Sequence, residues 1–282
     1  MTVSKSNNEK AVDINRRKAL GTLGAFSALG AAGLVGCGGG SSATSSSASS
    51  STAASLASSS SLANSAASSL ATSSAASSSA ATSSCVLIPT ETIGPFPLST
   101  LLNSSTVFRE AINEDKTGVP LTIKLKLVDV DNSCNMVTGY VYIWHCDKDG
   151  LYSGYSQNNN QGQAGKTYCR GVQNTDSNGV ATFTTIYPGW YAGRITHIHF
   201  QVFLTGYSSS AKSTAISQMA FPAEVTTAVY NSELYKSKGQ NTSVPNFSAD
   251  NVFSDGVTYQ LATVSGSLEE GYTAELTVGI RM

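Results

Sequence analysis

A chain of 282 residues with a formal net charge of −1 at pH 7 has no basic stripe able to neutralise a phosphate backbone, which argues against nucleic acid as a partner. The length would accommodate two average domains, but the N-terminal third does not read as globular, so one domain is expected. Small neutral partners stay open.

The polar start closes on Asn15-Arg16-Arg17-Lys18, and an uncharged run rich in Ala, Leu and Gly then continues to Val35-Gly36, the order of an export signal. The arginine pair resembles a twin-arginine signal. Leu34-Val35-Gly36-Cys37 resembles the lipobox of bacterial lipoproteins, which would make Cys37 the lipidated first residue after cleavage. The alternative is an uncleaved membrane anchor, but the run is barely long enough to span a bilayer and ends at a cysteine followed by three glycines. Residues 1–37 are therefore read as a lipoprotein signal peptide. Either reading places the C-terminal part of the chain outside the cytoplasm, facing the periplasm or cell exterior, with the membrane reached only through the N-terminus.

Residues 38–84 are almost wholly Ser, Ala, Thr and Gly, interrupted by Leu56, Leu62, Asn64 and Leu70. Such a segment cannot bury enough apolar surface to offset the entropy of ordering it, so a disordered tether is expected. As a flexible coil it would hold the domain roughly 35–40 Å from its anchor.

The composition changes at Cys85, and residues 85–282 suit a single domain. Period-two runs recur at 121–130 (LTIKLKLVDV), 139–146 (GYVYIWHC), 179–187 (GVATFTTIY), 195–204 (ITHIHFQVFL) and 274–280 (AELTVGI). This alternation predicts half-buried strands, with turns at Asp131-Asn132, at 174–179 and at Pro188-Gly189. One short helix is predicted within 222–236. The fold class is all-β, an antiparallel β-sandwich.

Two of the chain's three histidines, His197 and His199, stand two apart in one of these strands and so point to one face. Taken alone, the pair reads equally well as half of a metal site or as two buried, hydrogen-bonded imidazoles. Around it lie Tyr191, closing the turn Pro188-Gly189-Trp190-Tyr191, then Arg194, and upstream Tyr152 in "WHCDKDGLYSGY".

With "RGVQNTDSNGVATFTTIYPGWY" between them, these residues resemble the intradiol ring-cleavage dioxygenases over residues 90–222. The resemblance implies a non-haem Fe(III) held by Tyr152, Tyr191, His197 and His199. Phenolate is a hard anionic donor that favours the ferric ion, and a phenol of pKa about 10 is deprotonated only because a metal holds it. The implied reaction opens a small aromatic diol between its two hydroxyl-bearing carbons, with O2 as co-substrate, giving a muconate-type diacid. Tyr191 is the implied departing ligand and base, Arg194 the cation that stabilises anionic character on the substrate, and Gln218 in "SQMAFPAE" a donor near it. Segment 89–98 (PTETIGPFPL) resembles the one that leads into the site, with Ile93 where the family often has an acid. Trp144 reads as core, and Trp190 as core or contact.

Five residues separate Tyr191 from His197, and no helical dimerisation region precedes the domain. The chain thus resembles an exported subgroup of the family, and no oligomeric state carries over from cytoplasmic members.

With Cys37 lipidated, Cys85, Cys134, Cys146 and Cys169 would remain in an oxidising compartment. The expected pairings are Cys85 with Cys134 and Cys146 with Cys169; the rival is a zinc site of His145, Cys146 and Cys169. Two other functional classes stay open: an exported metal-binding lipoprotein module without catalysis, and a zinc hydrolase using the histidine pair with Asp147 or Asp149 as base.

Overall fold

The computed structural model describes residues 85–157 and 159–282; the signal, Cys37 and tether readings lie outside the described residues. Among the described residues the strands form two sheets packed face to face. The first contains β1 (Pro120–Asp129), β2 (Asn135–Met136), β5 (Val180–Ile186), β8 (Thr263–Ser267) and β9 (Gly271–Ile280). The second has the order β4 (Arg170–Asn174), β3 (Tyr140–Trp144), β6 (His197–Phe203), β7 (Ala215–Ala220). The one α-helix among the described residues, α1 (Ala223–Tyr230), lies within the predicted span.

Alternation builds the core. In β1, Leu121, Ile123 and Leu125 point inward while Lys124 and Lys126 face out, and they meet Ile143 of β3 and Ile198 and Phe200 of β6. The expected β-sandwich is thus present, with one difference in strand direction: β1 pairs with β9 in parallel over 121–129. These strands come from opposite ends of the domain, and side-chain alternation carries no information about chain direction.

The prediction of half-buried strands fails for β6, every residue of which is buried. Its outer face is covered by segment 92–98, which crosses the second sheet. Trp144 Nε1 donates to Pro95 O (3.2 Å), Tyr142 Oη to Pro97 O (2.6 Å), and Gln218 Nε2 to Thr92 O (3.1 Å). Those bonds close a second apolar cluster that includes Tyr142, Trp144 and Tyr152, with Ile93 packed against it. The site lies in this layer.

Cys85 and Cys134 are disulfide-bonded, as expected, with Cα atoms 5.6 Å apart. The second expected pairing is absent, because Cys146 and Cys169 are both buried free thiols. Register explains it. His145 N donates to Cys169 O, which sets Cys169 opposite His145 on the face between the sheets, near Ile186. Cys146, one residue on, turns to the outer face beside Trp144 and Tyr152, so the two sulfurs leave opposite sides of the sheet.

Candidate metal centre

The two histidines lie mid-sheet, flanked on both sides. His199 pairs with Trp144 of β3 and Gln218 of β7, and His197 with Ala220. The Trp144 indole stacks on the His199 ring at 4.8 Å and 4°, so this tryptophan is core and also a wall of the site. On the other side, a Cβ built on Gly94 would stand 2.3 Å from His199 Cε1, so only glycine fits there. Gly94 also has a φ of +68°, which glycine adopts without strain.

Tyr191 arrives from the turn after β5. Gly189 in that turn donates its N–H to Asp147 O at 3.0 Å, and a Cβ there would meet Lys148 O, so the turn is pressed against the loop that leads to Tyr152. The sequence thus brings its four expected ligands together. His197 Nε2 is 3.1 Å from His199 Nε2 and 3.2 Å from Tyr191 Oη, and the Tyr152 ring lies edge-on to Tyr191 with centroids 5.6 Å apart.

Protonation states follow from burial. His197 Nδ1 lies 2.6 Å from Ile195 O and donates to it, so Nε2 presents a lone pair. Burial, with the nearby Arg194 cation, lowers the His197 pKa to about 3. Burial and His197 push His199 well below the usual range. Both imidazoles are therefore neutral donors at pH 7. Burial raises the Tyr191 phenol to about 12 and Tyr152 well above 10, the latter also through the neighbouring Tyr191. Tyr152 Oη and His199 Nδ1 are buried without a hydrogen-bond partner. Two neutral imidazoles and two phenols, one of the phenols without a hydrogen-bond partner, form a donor set that a hard, highly charged cation would complete by taking the phenolic protons' place. The residues present fit a ferric ion.

Arg194 is buried. Its Nε donates to both oxygens of Asp250 (3.0 and 3.2 Å) and its Nη2 to Gln218 Oε1 (2.6 Å), while Nη1 lies 3.4 Å from His197 Nε2. Asp250 also accepts the N–H groups of Ile195, Val252 and Phe253. Burial pushes its pKa up, but these N–H groups and Arg194 outweigh that and hold it below the usual carboxylate range. Sequence reasoning missed Asp250, which is 56 positions from Arg194 in a stretch with no motif. Gln218 sits between Arg194 and Thr92 O, both ends engaged. Trp190 lies apart: it packs on the main core, and its Nε1 donates to Gly239 O.

A cavity of about 290 Å³ opens onto both tyrosines, walled by Pro95, Phe96, Gly150, Gln157, Asn159, Asn160 and Ala192. It is large enough for one aromatic ring with small substituents.

The zinc alternatives find no geometry. His145 is satisfied at both nitrogens, by Cys146 O (2.8 Å) and Thr185 Oγ1 (2.9 Å). Asp147 holds its own loop, accepting from Asp149 N and Leu151 N and pairing with Lys116. Among the described residues no three His, Cys, Asp or Glu side chains gather as a metal site, so any metal here needs the phenols.

No family model and no curated protein matches the chain. Solved structures do. An intradiol ring-cleavage dioxygenase from Tetranychus urticae is similar at 25% identity and a TM-score of 0.59, covering 70% of this chain and 95% of that one. The dioxygenase Tetur07g02040 is similar at 25% identity and a TM-score of 0.57, with the same coverage. The β-sandwich that carries the four converging donors is thus structurally similar, at low sequence identity, to intradiol ring-cleavage dioxygenases.

Proposed function

We propose that the chain is a non-haem Fe(III)-dependent dioxygenase. It opens a catechol-type ring between the two hydroxyl-bearing carbons and places both atoms of O2 in a muconate-type diacid. The observation that carries this reading is the meeting of two phenols and two neutral imidazoles in one buried site beneath a ring-sized cavity. When bound, the ferric ion supplies the Lewis acidity and the redox coupling through which a catecholate reacts with O2.

The chain's own residues bind, orient and move protons. The cavity receives the diol against the tyrosines, with Pro95 and Phe96 as apolar walls that exclude water. Tyr191 is the less buried phenol, and as phenolate it takes a proton from a substrate hydroxyl. Tyr152, which also lines the cavity but is almost fully buried in the apolar cluster, stays in place. Arg194, aimed by Asp250 and Gln218, holds its cation beside His197 to stabilise anionic charge as it develops on the substrate.

The domain acts outside the cytoplasm, tethered through residues 38–84 to a lipid on Cys37. The Cys85–Cys134 disulfide is consistent with an oxidising compartment.

Turnover of catechol under 18O2 tests the reaction. Both labelled atoms should appear in one ring-opened diacid, and Tyr191→Phe should abolish it. Label from solvent water, or full turnover by Tyr191→Phe, would overturn the assignment.

A further inference from the structure

We propose that Asn160 is a positioning residue for Tyr152, a role that rests on the ferric-site reading above. Tyr152 lies between β3 and β4, outside every strand and helix, so no ladder holds its backbone. Its hydroxyl makes no hydrogen bond of ordinary length and meets only the Tyr191 phenol, so no group outside the site aims the ring from its tip. Tyr191 differs, since its hydroxyl meets His197 Nε2.

Asn160 supplies what a neighbouring strand would. Its Oδ1 accepts from Tyr152 N (2.7 Å), and its Nδ2 donates to Tyr152 O (2.7 Å) and Tyr155 O (2.8 Å). One buried amide thus satisfies both backbone groups of the ligand residue, as an antiparallel partner would. The next residue is held from another direction. Fully buried Arg170 donates through Nε to Ser153 Oγ and through Nη2 to Ser153 O, both at 2.8 Å. With Ser153 pinned and Tyr152 clamped at N and O, the Cα–Cβ bond of Tyr152 has one direction, toward Tyr191 and His199. Alanine at position 160 would leave the Tyr152 N–H and C=O buried and unpaired, and the segment would move to recover those bonds.

The test compares the unsubstituted protein with Asn160→Ala and Tyr152→Phe, measuring ferric-ion affinity by chelator competition and the phenolate-to-iron absorption band. Loss of an outer partner that orients a metal ligand typically weakens metal binding by about 10- to 100-fold. Asn160→Ala should show that loss, and its band should shift toward that of Tyr152→Phe. A merely structural role would lower thermal stability and leave the band of the folded protein unchanged. If the unsubstituted protein binds iron with a band and Asn160→Ala matches it in both readouts, the positioning role is overturned while the ferric site stands. If the unsubstituted protein binds no iron, both fall. Should Asn160→Ala fail to fold, amide exchange on the unsubstituted protein decides: protection of the Tyr152 N–H equal to that of β6 supports the clamp, and rapid exchange overturns it.

Discussion

Nε2 of His197 and Nε2 of His199 lie 3.1 Å apart, with their rings nearly perpendicular at 85°. The His197 proton is committed to Ile195 O, so this close approach sets a bare lone pair against the second imidazole. A cation between them turns that contact into coordination.

In the proposed ferric site, replacing either histidine removes a ligand while leaving the inter-sheet core intact. His197→Ala and His199→Ala are each expected to weaken ferric binding by more than the ~100-fold typical of an outer partner, while keeping the far-UV circular dichroism of the parent. Chelator competition measures the first and the spectrum the second.

Gly94→Ala should damage stability and site together. Its Cβ would meet His199 Cε1 at 2.3 Å, and the left-handed backbone alone costs a non-glycine residue about 1–2 kcal/mol. Urea denaturation should show a loss of at least ~1 kcal/mol, with weakened iron binding.

Asp250→Asn should be among the most destabilising polar substitutions in the domain. It leaves the Arg194 guanidinium buried without its counter-charge, a situation that typically costs about 3–5 kcal/mol. The Asp250 pKa is depressed, so the stability it contributes is present above the ordinary carboxylate range and is lost as pH falls through the folded value. Acid unfolding of Asp250→Asn should show a shallower dependence than the parent.

The satisfied core histidine sets a separate pH window. Burial holds the His145 pKa at about 4, below the usual 6.5, so the unfolded chain binds the extra proton between those values. Stability is full above pH 6.5 and declines toward pH 4 by about 1.4 kcal/mol per pH unit for this group. His145→Gln should flatten the curve by that slope, read from denaturant melts of both proteins across the window.

Thiol chemistry separates the cysteines. Burial pushes both the Cys146 and Cys169 thiols up, so neither should react with a thiol reagent until the protein unfolds, and both should react then without reduction. Removing the Cys85–Cys134 bond, which spans 49 positions, should cost ~4 kcal/mol in the chain-entropy account.

Much of this was readable in the residues. The runs at 121–130, 139–146, 179–187, 195–204 and 274–280 each contain or overlap a strand, because each alternates β-branched or aromatic residues against polar ones. β2, β4, β7 and β8 did not announce themselves: β2 is two residues long, "RGVQN", "AISQMA" and "TVSGS" lack that alternation, and the four are set by pairing with β1, β3, β6 and β9. The convergence of Tyr152, Tyr191, His197 and His199 was foreseeable through the family resemblance that their order carries, while the histidine pair alone left it open. Asp250 and Asn160 were not, since their work is to hold other residues in place, and hydrogen bonds to a guanidinium or a backbone leave no pattern along the chain. The Cys146–Cys169 pairing failed for a related reason: which face each sulfur leaves depends on the β3–β4 register, which spacing does not give.

The most direct measurement is the visible absorption spectrum of the iron-reconstituted protein, before and after anaerobic addition of catechol. Tyr152, Tyr191, His197 and His199 acting as one site should give a broad phenolate-to-iron charge-transfer band that moves to longer wavelength with catechol. A protein that stays colourless after reconstitution would contradict the ferric bis-tyrosinate centre and, with it, the proposed reaction.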